Sequence, residues 1–299
     1  MSPVLGVLLP DALVIGLGVV MRRFVPDAGW AGIDRLNFQI LFPALIFQAA
    51  AARAPGLNDL AVIGGGVWAI ILLGFGLGLL LRPLGPARFL DFAGAWQTAW
   101  RFNSAIGLVA VQALPESARG LMSIAIGFAV PLANLLAVGA MSRGQSMSLG
   151  ATARMVVLNP FLLASTLGIG MATAGLHLPD PLSPMVGLLA QAAIPMALLS
   201  IGAALEIRAV TRLDPFRGGL SLIKLVVLPA LTLGAVRLMG LEADAAAVLV
   251  VFAALPTASA AHVLASVFGA DRSLAAGVIA QSTALGCVTL PLWLMGLQG

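Results

Sequence analysis

Between Asp59 and Arg82 the chain runs from Leu60 to Leu81, 22 residues, without a formal charge. About 20 apolar residues are what a helix needs to cross the hydrocarbon core of a bilayer. In that core every backbone N–H and C=O must be satisfied inside the segment, so the run is committed to a helix. Nine more apolar stretches follow the same rule. The ten spans read as Pro3–Met21, Leu36–Ala52, Leu60–Leu81, Phe92–Leu114, Gly120–Ala140, Met155–Ala174, Pro184–Leu205, Gly218–Val236, Ala245–Phe268 and Ser273–Leu297. With 60% of its residues hydrophobic and 9% charged, the chain cannot clothe a soluble surface, which carries about 25% charged residues. Long continuous apolar runs also argue against a β-barrel, whose strands alternate over short segments. The fold class expected is therefore an all-α polytopic membrane protein.

Charge placement sets orientation. Of the 16 basic residues, eleven lie in the loops after odd-numbered spans: Arg22, Arg23, Arg35, Arg82, Arg88, Arg143, Arg154, Arg208, Arg212, Arg217 and Arg272. Three lie in even loops (Arg53, Arg119, Arg237), and Arg101 and Lys224 lie inside spans. Positive loops stay in the cytoplasm, which puts both termini outside. The basic pair Arg22-Arg23 follows the first apolar segment, an arrangement that retains the segment instead of marking it for cleavage. The basic excess is thus a topology signal, and no nucleic-acid partner is expected. One cysteine, Cys287, and two distant histidines offer no disulfide and no metal-ligand spacing, and no cofactor motif is present.

The two halves read as repeats. Residues 1–140 hold five spans, 141–154 form a polar cytoplasmic linker, and 155–299 hold five more. Pro43 in span 2 matches Pro195 in span 7, and Pro10-Asp11 in span 1 matches Asn159-Pro160 in span 6. Five is odd, so the second repeat enters the membrane inverted, a transporter signature.

Two interruptions carry the chemistry. Arg101 is the one charge in span 4, followed at once by Asn103 and Ser104. A guanidinium near mid-bilayer costs at least ~2.5 kcal/mol, so it faces protein or water, or snorkels to the interface. In the first case it is a counter-ion for an anionic substrate, because its planar fork binds a carboxylate bidentately. In span 9, Leu255-Pro256-Thr257 interrupts the helix, since proline removes a backbone donor and clashes with the preceding turn. Lys224, close to Arg217, is expected to snorkel to the cytoplasmic interface. Asp11 and His262 are candidates for proton coupling, with helix capping and interhelical hydrogen bonding as their alternatives. Gln39, Gln48, Gln112, Asn134, Gln191 and Gln281 are expected to hydrogen-bond between helices, with one or two of them lining a cavity.

Three stretches resemble the auxin efflux carrier family in its bacterial permease branch. They are Leu36 to Phe47, which contains Leu41-Phe42-Pro43-Ala44-Leu45; Arg101-Phe102-Asn103-Ser104-Ala105-Ile106-Gly107-Leu108; and Leu255-Pro256-Thr257-Ala258 through Gln281-Ser282-Thr283. The resemblance covers nearly the whole chain. It implies a 5+5 inverted repeat whose broken helices 4 and 9 cross at mid-membrane in the bacterial inner membrane, with both termini periplasmic. It also implies a small organic anion, a mono- or dicarboxylate, bound at the crossing and moved by alternating access. Arg101, Asn103, Ser104, Pro256 and Thr257 are then the substrate-binding candidates. Asp11, Pro43, Pro195, His262, Gln281 and Ser282 are candidates for cavity lining or proton coupling. The sequence departs from the family pattern at Val109, where many members have a proline after the Gly-Leu of span 4. Expected partners are the anion, the lipid bilayer and protons, with a homodimer left open. Two other readings are a sodium-coupled transporter of the bile acid symporter kind and an intramembrane enzyme using Ser259 and His262. The first lacks acidic ligands in spans 4 and 9, and the second lacks an orienting carboxylate.

Overall fold

The computed structural model describes residues 3–51, 56–141, 154, 157–158, 160–204, 214–258, 261, 264–265 and 268–297, and every element among them is helical. Asp11 is described in its backbone only; the 142–153 part of the linker, Ser259 and His262 lie outside the described residues. The first half holds α1 (Pro3–Met21), α2 (Asp27–Leu36), α3 (Phe42–Ala51), α4 (Leu57–Leu79), α5 (Phe89–Trp96), α6 (Ser104–Ala110) and α7 (Glu116–Met141). The second holds α8 (Pro160–Thr173), α9 (Leu182–Ala204), α10 (Pro215–Leu222), α11 (Leu228–Leu238), α12 (Ala243–Ala254) and α13 (Arg272–Gly296). Among the described residues five stretches are long and apolar enough to cross a membrane: Leu57–Leu79, Glu116–Met141, Leu182–Ser200, Pro215–Leu238 and Ser273–Gly296. Leucines such as Leu13, Leu72, Leu188, Leu231 and Leu292 are exposed on their outer faces, where lipid tails replace water.

The second span begins earlier than its apolar composition indicates. Helix starts at Asp27, nine residues before Leu36, because the polar segment from Asp27 to Arg35 has an acidic first turn and a basic last turn that suit the helix dipole. It continues through a π turn, Asn37–Leu41, into α3. A second π turn, Ile223–Val227, joins α10 to α11. Each ends two residues before a proline, ahead of Phe42-Pro43 and Leu228-Pro229, with a backbone bond five residues long (Phe42 N to Asn37 O; Leu228 N to Ile223 O). The wider turn makes room for the ring that would otherwise strike the preceding carbonyl. Pro229 also cannot donate to Leu225 O four residues back. The Trp293 indole N–H of α13 takes that carbonyl at 2.9 Å, so Leu225 O is not left bare.

The helices sort into two bundles. α1 lies along α9, and α3 lies against both α8 and α9. In the other, α4 packs on α7, α12 packs on α4, α7, α11 and α13, and α5 packs on α13. Each half therefore lends its first two apolar spans to one bundle and its last three to the other. α7 bridges them through α3 and α8. The larger bundle is welded by aromatic rings. Trp96 stacks on Phe92 at 5.4 Å, meets Phe75 at 4.4 Å and Trp100 at 4.9 Å, and Phe92 reaches Phe216 of α10 at 5.6 Å. Its described carboxylates all stand at helix starts. Asp59, Asp91, Glu116 and Asp244 are in first turns, and Asp214, Glu242 and Asp271 are at the N-cap position.

In the smaller bundle α1 and α9 meet at a glycine pair. A Cβ on Gly18 would run into the backbone carbonyl of Leu199, and one on Gly202 into that of Ile15. Only glycine lets two helix backbones come this close, the packing by which membrane helices replace the missing hydrophobic drive. Gly18→Ala should destabilise the protein by about 1–3 kcal/mol, since backbone cannot yield as a side chain can. Gly16→Ala, where a Cβ meets nothing within 4 Å, should be neutral or slightly stabilising. Thermal unfolding of both variants in detergent checks the pair, and equal melting points would exclude the contact.

Candidate functional site

The fourth span does not run through. α5 ends at Trp96, a 3-10 turn covers Gln97–Ala99, residues 101–103 carry no helix, and the helix restarts at Ser104. It breaks with Val109 in place of proline, so a different device opens it. Asn103 is the N-cap of α6, in β conformation (φ −86°, ψ 99°), with its Oδ1 accepting from Ile106 N at 3.2 Å. Asparagine is among the best residues for that role. The Asn103 backbone N–H is then free of its own helix, and it donates to Pro256 O at 2.8 Å.

That carbonyl belongs to the second break. α12 ends at Ala254, and Leu255 turns extended (φ −61°, ψ 138°), the conformation that a following proline imposes. Residues 255–258 carry no helix. Thr257 N donates weakly to Ser282 Oγ at 3.4 Å, and Ser282 Oγ donates to Ile279 O at 3.0 Å. Phe102 and Phe252 close the apolar side of the junction with ring centroids 4.5 Å apart. Leu255 and Thr257 are fully buried, and Gln281 is 1% exposed. Thr257 Oγ1 and Gln281 Oε1 have no hydrogen-bond partner. The structure thus joins Asn103, Pro256, Thr257 and Ser282 in one chain of contacts, with Gln281 beside them.

Arg101 turns into the protein and does not snorkel. It is 9% exposed. Its Nη2 donates to Asn134 Oδ1 of α7 at 2.9 Å, and its Nη1 reaches Gln97 Oε1 at 3.4 Å. Both partners are neutral carboxamides, so the charge is hydrogen-bonded but not neutralised. Gln97 is the residue that sequence reasoning missed. Its Nε2 donates to Gly94 O at 3.0 Å and to Ala261 O at 2.9 Å, on the far side of the span 9 break. Its place four residues before Arg101, on the same helical face, is a signal that could have found it. Asn134, 33 residues away in sequence, had none beyond its polarity.

The other candidates are dispersed. Pro43 is half-buried on α3 and Pro195 exposed on α9, two helices that pack together in the smaller bundle, with α9 also touching α6. Gln39 and Gln191 are exposed. Lys224 is 2% exposed in the π turn of the eighth span, not at the interface: the helix begins at Pro215, nine residues or about 14 Å earlier, beyond a lysine's reach. A cavity of about 560 Å³ lies between the bundles, lined by Gln48 of α3, Leu108 of α6, Gln112, and Glu116 and Arg119 of α7. Its floor at Leu108 is five residues beyond Asn103.

Gln97→Leu should remove the Ala261 and Gly94 contacts together with one Arg101 partner. Leaving buried groups unpaired costs about 1–3 kcal/mol each. The measurement is thermal unfolding in detergent, where a melting point unchanged from wild type would mean that the two breaks are held elsewhere.

Comparison with known proteins agrees with this architecture. A family model described as "Membrane transport protein" matches residues 146–294. A protein of Rhizobium meliloti (strain 1021), described as "Putative malonate transporter", is 28% identical over 304 residues, covering 97% of this chain and 94% of the relative. Both matches point to a transporter, not an enzyme. The family-model match in the second half and the relative's match along nearly the whole chain support the auxin efflux carrier resemblance read from the two broken spans.

Proposed function

We propose that the protein is a secondary transporter of a small organic anion, a mono- or dicarboxylate, in a bacterial inner membrane. The anion binds where the broken fourth and ninth spans meet. The observation that carries this reading is Arg101: a guanidinium buried beside the junction, held by Asn134 and Gln97, with donors left over and no carboxylate against it among the described residues. A buried charge that the protein does not neutralise is suited to an anion that arrives and leaves. Asn103, Ser104 and Thr257, with the backbone amides freed at the breaks, supply donors for its oxygens. The name of the Rhizobium relative makes malonate the first compound to test.

The two bundles support a 5+5 inverted repeat. Spans 1 and 2 of one half pack with spans 1 and 2 of the other, as α1 on α9 and α3 on α8. The remaining spans form a body that would move against this frame, exposing the junction first to one side and then to the other. The cavity between them is bounded by Glu116 and Arg119 at the start of α7, after an even loop. On the charge bias of the loops that side is the periplasm, with both termini on it. Asp11 and His262 remain the candidate groups for proton coupling.

In proteoliposomes Arg101→Ala should lower carboxylate flux about a hundredfold at unchanged folded protein, as the loss of a buried charge-assisted pair does. Gln97→Glu should do the same by giving the guanidinium a resident carboxylate. Flux and binding that survive both changes would sink the counter-ion role.

Orientation has its own test. In a Cys287→Ser background, Ser117→Cys at the cavity mouth should react with a membrane-impermeant maleimide in intact cells. Ser273→Cys, exposed at the start of α13, should react only after permeabilisation. The reverse pattern would invert the topology.

A further inference from the structure

Arg101 is not the only cation in the interior of the larger bundle. Lys224 stands ten residues into the 24-residue run Pro215–Leu238 and is 2% exposed. Its ammonium group has no hydrogen-bond or ion-pair partner among the described residues. The π turn that holds it packs on the Gln97–Ala99 turn and on α12 and α13. Gln97 in turn accepts a hydrogen bond from Arg101. The turn that carries Lys224 and the side chain of Arg101 therefore both lie against one three-residue segment, one from each half of the chain. Ser221, on the same face as Lys224 one turn earlier, is 3% exposed and has an unpartnered Oγ.

The carboxylates of this bundle do not answer that charge. All seven described ones stand at helix starts, the surface ends of their spans. The interior then holds two basic side chains and no carboxylate among the described residues. An uncompensated buried charge is unfavourable, and an opposite charge brought between the two relieves it. A monoanion balances one of them, whereas a dianion of the same size balances both.

We infer that Lys224 sets the charge of the ligand: together with Arg101 it makes the interior of this bundle complementary to a dianion, so that a dicarboxylate is selected over a monocarboxylate of equal length. The inference rests on the carboxylate reading of the Arg101 site. Lys224 acts through its field across the Gln97–Ala99 turn and need not touch the ligand, which makes it a specificity residue. Discrimination of this kind is a difference between two affinities, and charge is the term that differs.

The test compares malonate with its monoamide, malonamate, which has the same chain length and one charge fewer. Binding to the purified full-length protein is measured calorimetrically, at a pH where both malonate carboxylates are ionised. Wild type should bind malonate about tenfold or more tightly than malonamate. Lys224→Met should erase that preference by weakening malonate, leaving malonamate within about threefold, and Lys224→Arg should retain it. Arg101→Ala should weaken both ligands, separating the two roles. If Lys224→Met does not fold, Lys224→Gln is read in the same way. A wild type indifferent to ligand charge, or a Lys224→Met variant that keeps the preference, overturns the role of Lys224 and leaves the carboxylate reading standing. Failure of wild type to bind either compound overturns both.

Discussion

A single backbone hydrogen bond, from Asn103 N to Pro256 O at 2.8 Å, ties together two places where apolar spans of this chain stop being helical. A helix that breaks in hydrocarbon exposes donors and acceptors that lipid cannot satisfy, each at a cost of several kcal/mol. One break alone would be untenable. Two breaks brought together supply each other's missing partners, the donor of one meeting the acceptor of the other. The rest of the larger bundle keeps them in register. The aromatic block around Trp96 fixes the first half of the fourth span, Phe102 lies on Phe252, and Gln97 reaches across to Ala261 O.

This arrangement explains how a guanidinium can live at this depth. Arg101 sits at the edge of a region already rich in oriented amides, and its two carboxamide partners solvate it without discharging it. A carboxylate in the place of Asn134 would pair with the guanidinium and neutralise it. Neutral solvation keeps the charge available while the buried geometry keeps it in place. Thr257 Oγ1 and Gln281 Oε1, unpartnered on the other side of the junction, extend the same polar patch into the second half of the chain.

Much of this was legible in the sequence, and the limits are instructive. Apolar length and proline chemistry act along one dimension, so the helices and the Pro256 break could be read directly. The break in the fourth span was marked by the polar run Arg101 to Ser104 and by the family resemblance, whereas the device that opens it, Asn103 as an N-cap, was not read. What could not be read was direction. Whether Arg101 and Lys224 point to the interface or into the bundle depends on which neighbours surround them, and both turn inward. Gln97 stood within one turn of Arg101 and was recoverable from spacing, whereas Asn134 was placed by tertiary packing alone. The π turns left no sequence mark except the prolines that follow them. The early start of the second span at Asp27 shows that helix and apolar span are separate properties, because a polar first stretch can be helical before the membrane begins.

The Trp293–Leu225 contact binds the history of two distant positions together. Pro229 leaves a carbonyl bare and the indole of Trp293 covers it. A descendant that lost the tryptophan first would carry a naked acceptor in the bundle; one that lost the proline first would offer that acceptor to two donors at once. The order of substitution therefore matters: the proline can be relinquished before the tryptophan at little cost, but not after it. Residues 64 apart in the chain are constrained to change in sequence, a one-way ratchet set by the valence of a single oxygen.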